Sequence, residues 1–278
     1  MSTPRRLLRA ASRRVRGIAN AVKLDAVLAS YPKSGRTWLR FILANYFAMA
    51  AGKEEGVDLH GLFTVVPNFD SDPVRGIPAF RFANAAPRVP LVAVTHDAYS
   101  RFLFWRRPIV YLVRDPRDVM VSAYFHQTRH KNRFAGGIPD FLADPEFGIA
   151  SYARHVNGWA RGLTRHRHIV VSYERLSAGT KAEMTKILRF LGCEADEAVL
   201  GRAIEIARFD SMREMELSKG MPAHTYDRGD SESSRMRKGK VGGFSDYLSP
   251  QEVEAMLAAC AGSLTPAAKS LLQMPDFG

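Results

Sequence analysis

A chain of 278 residues, 46% of them hydrophobic, can fill one sizeable core, and that apolar fraction excludes a wholly disordered protein. Its Pro and Gly are scattered, and no repeat or heptad run occurs, which excludes collagen, solenoid and coiled-coil architectures. The formal net charge of +12 points to an anionic partner: nucleic acid, a membrane surface, or a phosphorylated or sulfated ligand.

The charge is concentrated at the start of the chain. Arg5, Arg6, Arg9, Arg13, Arg14, Arg16 and Lys23 fall in a stretch without acids. At about 100° per residue, Leu7, Leu8, Ala11, Val15, Ile18 and Val22 share one arc of roughly 100°, and all the basic residues but Arg14 lie opposite. This predicts an amphipathic helix over residues 4–23. Its apolar stripe fits either an anionic membrane or the protein's own core. The rest of the chain is only mildly basic and lacks zinc-finger, homeodomain or RNP-type signatures, so nucleic acid is not the expected partner. No signal-peptide apolar core follows the basic stretch, and the longest apolar run, Phe41–Ala51, is broken by Asn45 and too short to span a bilayer. Cys193 and Cys260 read as isolated buried thiols in a reducing, cytoplasmic compartment. The chain divides into a basic helix, residues 1–23, and one domain, residues 24–278.

Within that domain, Ala26–Ser30, Leu91–Thr95, Ile109–Val113 and His168–Ser172 are short apolar strand candidates. Helical patterns follow the first strand, with Leu39, Ile42, Leu43, Tyr46 and Phe47 on one side. Others occupy Arg117–Gln127, Ile149–Arg165, Thr180–Leu191, Glu197–Ala207 and Pro250–Ala261. Short continuous strands alternating with helices predict a single α/β domain, a P-loop-like three-layer fold whose central parallel sheet is flanked by helices. Ligands in such folds bind at the carboxyl ends of the strands. Residues 218–237, rich in Ser, Gly, Asp and Arg, show no apolar period and read as mobile.

Three polar clusters stand at strand ends. After the first strand, Tyr31-Pro32-Lys33-Ser34-Gly35-Arg36-Thr37-Trp38 opens a helix: Gly35 permits close backbone approach, helix N–H groups attract an anion, Lys33 adds charge, and Ser34 and Thr37 add hydroxyls. The order of Lys and Gly is not that of a Walker A loop, and a glycine turn with a solvated lysine is the plain alternative. After the third strand comes Arg114-Asp115-Pro116, with Asp115 as a helix cap and Pro116 in the first turn. Ser122 lies two turns further on; the plain alternative makes Arg114 an ion-pair partner of Asp115 or Asp118. After the second strand stands His96, placed to act as a base. Arg235-Met-Arg-Lys-Gly-Lys240, taken alone, is an ordinary basic surface run.

Together these motifs resemble the PAPS-dependent sulfotransferases of the cytosolic type, in a bacterial-like form. Tyr31–Trp38 is similar to the family's 5′-phosphosulfate loop, with Arg36 where a threonine is usual. Tyr111–Ser122 is similar to its 3′-phosphate motif, carried by Arg114 and Ser122. Arg237-Lys238-Gly239, followed by Gly242-Gly243-Phe244, resembles its closing motif, with Gly243 and Phe244 in place of Asp and Trp. Tyr173, Phe209 and Met212 match adenine-contacting positions. The resemblance runs from about Ala26 to Glu254. It implies PAPS (3′-phosphoadenosine 5′-phosphosulfate) as co-substrate, 3′,5′-ADP as product and a hydroxyl acceptor that is a glycan, a lipid or a natural product. It implies His96 as the base, Lys33 as the group that stabilises the leaving phosphate, and Ser122 as a restraint on Lys33. The family's usual lysine two residues before the histidine is Val94 here, which leaves Arg36 to supply charge near sulfur.

No metal-ligand cluster is visible, so no metal is expected. A P-loop-like nucleotide or small-molecule kinase would show a Walker A lysine and an acidic Mg²⁺ ligand, and neither stands out. A nonenzymatic basic membrane- or nucleic-acid-binding protein would not need the three ordered motifs. Acceptor-lining segments are expected in Val57–Arg81, Gln127–Phe147 and 218–237. The family's dimer motif, around Ser245–Glu254, has lost its lysine, threonine and valine.

Overall fold

A computed structural model describes residues 23–220, 234 and 236–274. The helix expected over 4–23 therefore lies, Lys23 apart, outside the described residues. Four strands, β1 (Ala26–Ser30), β2 (Val92–Thr95), β3 (Ile109–Val113) and β4 (His168–Ser172), form one parallel sheet in the order β2-β1-β3-β4. Every residue of β1, β2 and β3 is buried, as continuous apolar runs require when helices cover both faces. Only β4, at the edge, opens to solvent at its start.

Side-chain alternation divides the core. Leu28, Val94, Val110, Leu112 and Val171 point to one face; Val27, Ala29, Ala93, Ile109, Tyr111 and Val113 point to the other. The first face is covered by α1 (Arg36–Ala50), with the later helices α6 (Thr180–Phe190) and α7 (Glu197–Ile206). The second is covered by α2 (Pro116–Phe125), α3 (Ile138–Ala143) and α4 (Ile149–Leu163), with α9 (Pro250–Ser263) and α10 (Pro266–Leu272) packed on α4. Short helices α5 (Tyr173–Ala178) and α8 (Phe209–Lys219) complete the set among the described residues. This is the expected three-layer α/β fold.

The elements predicted after residue 23 are all present, with ends shifted by at most two residues. Asp115 caps α2 by accepting from the Arg117 N–H, with Pro116 at the first helical position. The helix ends at Phe125, and a π-helical turn, His126–His130, takes over where the α pattern was expected to reach Gln127. Helices α3, α5, α8 and α10 escaped the sequence pattern. In α8 only Met212 and Glu216 are buried, so no apolar stripe marks it.

Of the segment read as mobile, only its two ends are described: α8 runs through Lys219, and the buried Glu216 carboxylate accepts from the Met236 N–H at 2.8 Å. Residues 221–233 and 235 lie outside the described residues. Cys193 is only half-buried, whereas Cys260 is fully buried and its thiol is pushed up to about 12 by burial. No described helix is long and apolar enough to cross a membrane.

Trp159 ties the second face together. It is fully buried, lies near-parallel to Tyr111 at 5.3 Å, packs on Phe104 at 5.1 Å, and donates its indole N–H to the Asp97 carbonyl. Trp159→Ala is expected to lower unfolding free energy by about 3–5 kcal/mol in urea titrations, and Trp159→Phe by less, because it keeps most of the packing.

Candidate active site

After β1 the chain turns toward α1 on one face; after β3 it turns toward α2 on the other. The neighbouring carboxyl ends of β1 and β3 are thus a topological switch point, where open α/β sheets leave a crevice. The 31–38 turn fills the mouth of that crevice. Lys33 and Gly35 both take left-handed backbone, φ 70° and 88°, and Gly35 is the N-cap of α1. A Cβ on Gly35 would stand 2.3 Å from the Tyr173 ring, so the glycine is required by close approach as well as by φ. The Trp38 indole anchors the start of α1 to the Ala207 carbonyl at 3.0 Å.

Arg114 enters from the end of β3. Its guanidinium lies over the Tyr173 ring at 4.2 Å, pairs with the Asp118 carboxylate at 3.1 Å, and donates to the Lys240 and Lys33 carbonyls. The plain ion-pair alternative for Arg114 is therefore also true, with Asp118 as the partner; Asp115 pairs with Arg117 instead. Asp118 is 3% exposed and accepts from the N–H groups of Gly242 and Phe244 as well. One carboxylate thus fixes both the arginine and the closing segment. That segment brings Arg237 against Tyr247 and Phe125, and Lys238 against Asp246. Gly239, at φ 61°, fits its backbone to the Phe209 ring, which a Cβ would meet at 2.3 Å.

These parts enclose a cavity of about 450 Å³. Its wall includes Lys33, Gly35, Arg36, Thr37, Trp38, His96, Arg114, Ser122, Tyr173, Phe209, Met212, Arg237, Lys238 and Gly239. All the site residues expected from sequence are there except Ser34, which is 2% exposed and withdrawn from the wall. The wall also holds Asp118, Ser177, Thr180, Arg208, Asp210 and Lys240, which were not expected to line it. Asp118 was legible as one of the two acids that follow Arg114 closely enough in sequence to pair with it. The others carry no local signal.

A second cavity of about 450 Å³ adjoins the first. Lys33 and His96 line both. The His96 Nδ1 lies 2.9 Å from the Ser30 carbonyl oxygen, which can only accept; Nδ1 therefore carries the proton, and the lone pair of the neutral ring is on Nε2. The remaining wall combines Tyr31, Phe141 and Phe147 with polar and charged groups, among them Gln127, Glu146, Ser151, Arg154 and His155. Gln127, Phe141 and Phe147 fall in one expected acceptor segment. Val57–Arg81 does not line either cavity; its first part, Val57 to Val66, packs on the α1 face of the core, Phe69 and Ile77 join the opposite face, and Asn68 bridges to Val94. Tyr31, Ser151 and His155 were missed because β1 and α4 meet here only through the fold. Burial pushes the His155 imidazole down to about 4, so it is neutral at pH 7, and its buried Nε2 has no partner among the described residues.

The sheet order, with its crevice at the carboxyl ends of β1 and β3, defines an α/β protein with a P-loop-like fold. Residues 23–270 match the family model described as the sulfotransferase domain, and the chain belongs to that family. It is a sulfotransferase. Among curated proteins it is 28% identical to mouse Sulfotransferase 1B1, over 83% of this chain and 79% of that one. It is 25% identical to the 3-alpha-hydroxysteroid sulfotransferase of Cavia porcellus, over 83% and 80%. Its fold is shared with mouse sulfotransferase SULT7A1 complexed with PAP, at TM-score 0.62, 19% identity and 93% coverage of both chains. It is shared too with retinol dehydratase in complex with androsterone and PAP, at TM-score 0.59, 19% identity and coverage of 92% and 86%.

Gly35→Ala is expected to destabilise the protein by more than the ~1 kcal/mol of a left-handed alanine, because the new methyl collides with Tyr173. Gly52→Ala is the control: its φ is 89° with open space around it, so the difference between the two variants in urea isolates the ring contact. For His155 the folded pKa lies below the ordinary 6.5, so the unfolded chain binds more protons between these values. Its stabilising contribution is then whole above pH 6.5 and falls as pH drops toward 4, by up to about 3 kcal/mol. His155→Leu should flatten that part of the stability–pH curve.

Proposed function

We propose that this chain transfers a sulfuryl group from PAPS, bound in the first cavity, to the hydroxyl of a small, partly apolar acceptor in the second. The carrying observation is that Lys33 and His96 line both cavities, so the two reactants would meet across them. The first cavity suits a bisphosphorylated nucleotide on its own terms. The Arg114 Nε is buried without a partner among the described residues, and Lys33, Arg36, Arg114, Arg237 and Lys238 all line the wall. The first turn of α1, Lys33 and Arg36 suit the 5′-phosphosulfate end; Arg114, Ser122, Arg237 and Lys238 suit the 3′-phosphate. Tyr173, Phe209 and Met212 suit the base. PAPS supplies the activated sulfuryl group, and 3′,5′-ADP is what it leaves. No group of His, Cys, Asp and Glu able to hold a metal occurs among the described residues, and these cations suit the electrostatic role.

The His96 Nε2, as the basic nitrogen, takes the proton of the acceptor hydroxyl. Lys33 and the α1 N-terminus stabilise charge on the departing phosphate oxygen, and Ser122 restrains Lys33. The aromatic wall of Tyr31, Phe141 and Phe147 favours a ring or chain of low polarity, and the neutral His155 offers it one hydrogen bond. A steroid sulfotransferase among the relatives agrees with such an acceptor. A reducing, cytoplasmic compartment suits the free thiols of Cys193 and Cys260. The basic residues 4–23 are placed on an anionic membrane surface.

A transfer screen with labelled PAPS across phenolic, steroid, glycan and lipid acceptors tests the reading; transfer to none of them would count against it. Lys33→Ala and His96→Asn are each expected to lower transfer by about a hundred- to a thousand-fold. Calorimetry should show 3′,5′-ADP binding retained in His96→Asn, since that ring acts on the acceptor. Collapse of nucleotide affinity in that variant would remove His96 as the base.

A further inference from the structure

The end of the sheet opposite the cavities has a distinct chemistry. The loop before β3 projects Phe102 and Trp105 into solvent, at 72% and 49% exposure, among the most exposed large apolar side chains described. Arg101 and Arg106 flank the indole, with guanidinium carbons 5.4 and 5.7 Å from its centroid, and Arg106 holds a left-handed φ of 54°. Beneath them Phe104 is fully buried, so the loop is pinned while its tip stays out.

A second basic turn is stitched to this loop. The His166 Nδ1 donates to the Arg107 carbonyl, its Nε2 accepts from the Tyr99 hydroxyl at 3.1 Å, and the Ile109 N–H donates to the Arg167 carbonyl. Arg165 and Arg167 are exposed on that turn. Neither stretch contains an acid: residues 98–114 have none, and residues 147–173 have none. The nearby Asp25 is engaged by Arg88 and the Leu91 N–H. The Arg107 guanidinium also holds the Leu24 carbonyl at 2.8 Å, so the basic first 22 residues join the fold beside this surface.

We propose that this amino edge of the sheet is a docking surface for an anionic phospholipid bilayer. Phe102 and Trp105 enter the headgroup boundary, and Arg101, Arg106, Arg165 and Arg167 lie against lipid phosphates. Two projecting aromatic side chains flanked by arginines, on loops whose own stretches hold no acid, match an interface that is apolar at its centre and negative at its surface. The surface deepens the membrane reading of residues 4–23 and adds a contact within the folded domain. It also sets direction. The cavities open at the carboxyl ends of strands about 17 Å long, so the docked enzyme turns its active site toward water and takes its acceptor from there, rather than from the lipid beneath it.

The test uses the full chain with vesicles of phosphatidylcholine, with and without phosphatidylglycerol. Binding should require the anionic lipid and weaken with salt. Phe102→Ala with Trp105→Ala, and separately Arg101, Arg106, Arg165 and Arg167→Gln, should each reduce partitioning about tenfold or more. Both sets should leave turnover of a water-soluble acceptor unchanged. A vesicle-induced blue shift of tryptophan emission should vanish in Trp105→Phe, which keeps Trp38 and Trp159. A further variant, with Arg5, Arg6, Arg9, Arg13, Arg14 and Arg16 all changed to Gln, separates the two contacts. If it alone loses binding and the loop variants bind as wild type, the surface is wrong while the membrane reading of residues 4–23 stands. If the wild type ignores anionic vesicles, both fail. If single-stranded oligonucleotides bind this surface and vesicles do not, it belongs to nucleic acid and the proposal is overturned.

Discussion

The carboxylate of Asp118 is the point on which the donor-side cavity depends. It is almost wholly buried, which a charge tolerates only when paired and hydrogen-bonded, and it meets that condition with the Arg114 guanidinium and two backbone N–H groups. The consequences run outward through contacts. Arg114, held from below, lies over Tyr173; Tyr173 fills the space that Gly35 leaves; Gly35 sets the entry of α1 and the shape of the turn that carries Lys33. On the other side the same carboxylate seats Gly242 and Phe244, and so carries the segment with Arg237 and Lys238 across the cavity. Glu216 anchors the near end of that segment through the Met236 N–H. Two buried acids on helices therefore arrange a wall of partly buried cations.

This arrangement lets a basic site exist without flying apart. Like charges gathered around a cavity repel one another, and here each of three is partly compensated within the protein: Arg114 by Asp118, Lys238 by Asp246, Arg237 by the rings of Phe125 and Tyr247. The hydrogen bond to Asp246 raises the Lys238 pKa, which keeps that ammonium charged. An anionic ligand would add to this balance rather than create it, which is the sense in which the site is preorganised.

The two ends of the strands divide the protein's work. At the carboxyl ends, the divergence of α1 and α2 opens the crevice, and the two cavities meet at Lys33 and His96. At the amino ends, loops need only join helices to strands. Their composition there, arginine and exposed aromatic side chains without acids, is not demanded by the fold. The net charge of +12 is thus divided among the first 23 residues, the carboxyl-end cavity and the amino-end loops.

What the sequence by itself determined is the set of features written in local backbone chemistry. Continuous apolar runs placed all four strands, Asp115-Pro116 placed the start of α2, and a glycine between a lysine and a helix placed the anion turn, because each depends on φ preferences and hydrogen bonds within a few residues. Thirteen of the fourteen donor-site residues read from motif resemblance line the cavity, with Ser34 the exception. Only the tertiary structure decided the rest. Asp118 became the keystone because α2 and the 242–244 turn, more than a hundred residues apart, happen to meet at its carboxylate. Tyr31, Ser151 and His155 came to share one wall because α4 crosses the end of β1, and α8 formed without an apolar stripe because Glu216 found a backbone partner rather than solvent. No local period encodes such meetings, since burial of a polar group is favourable only when its distant partner arrives.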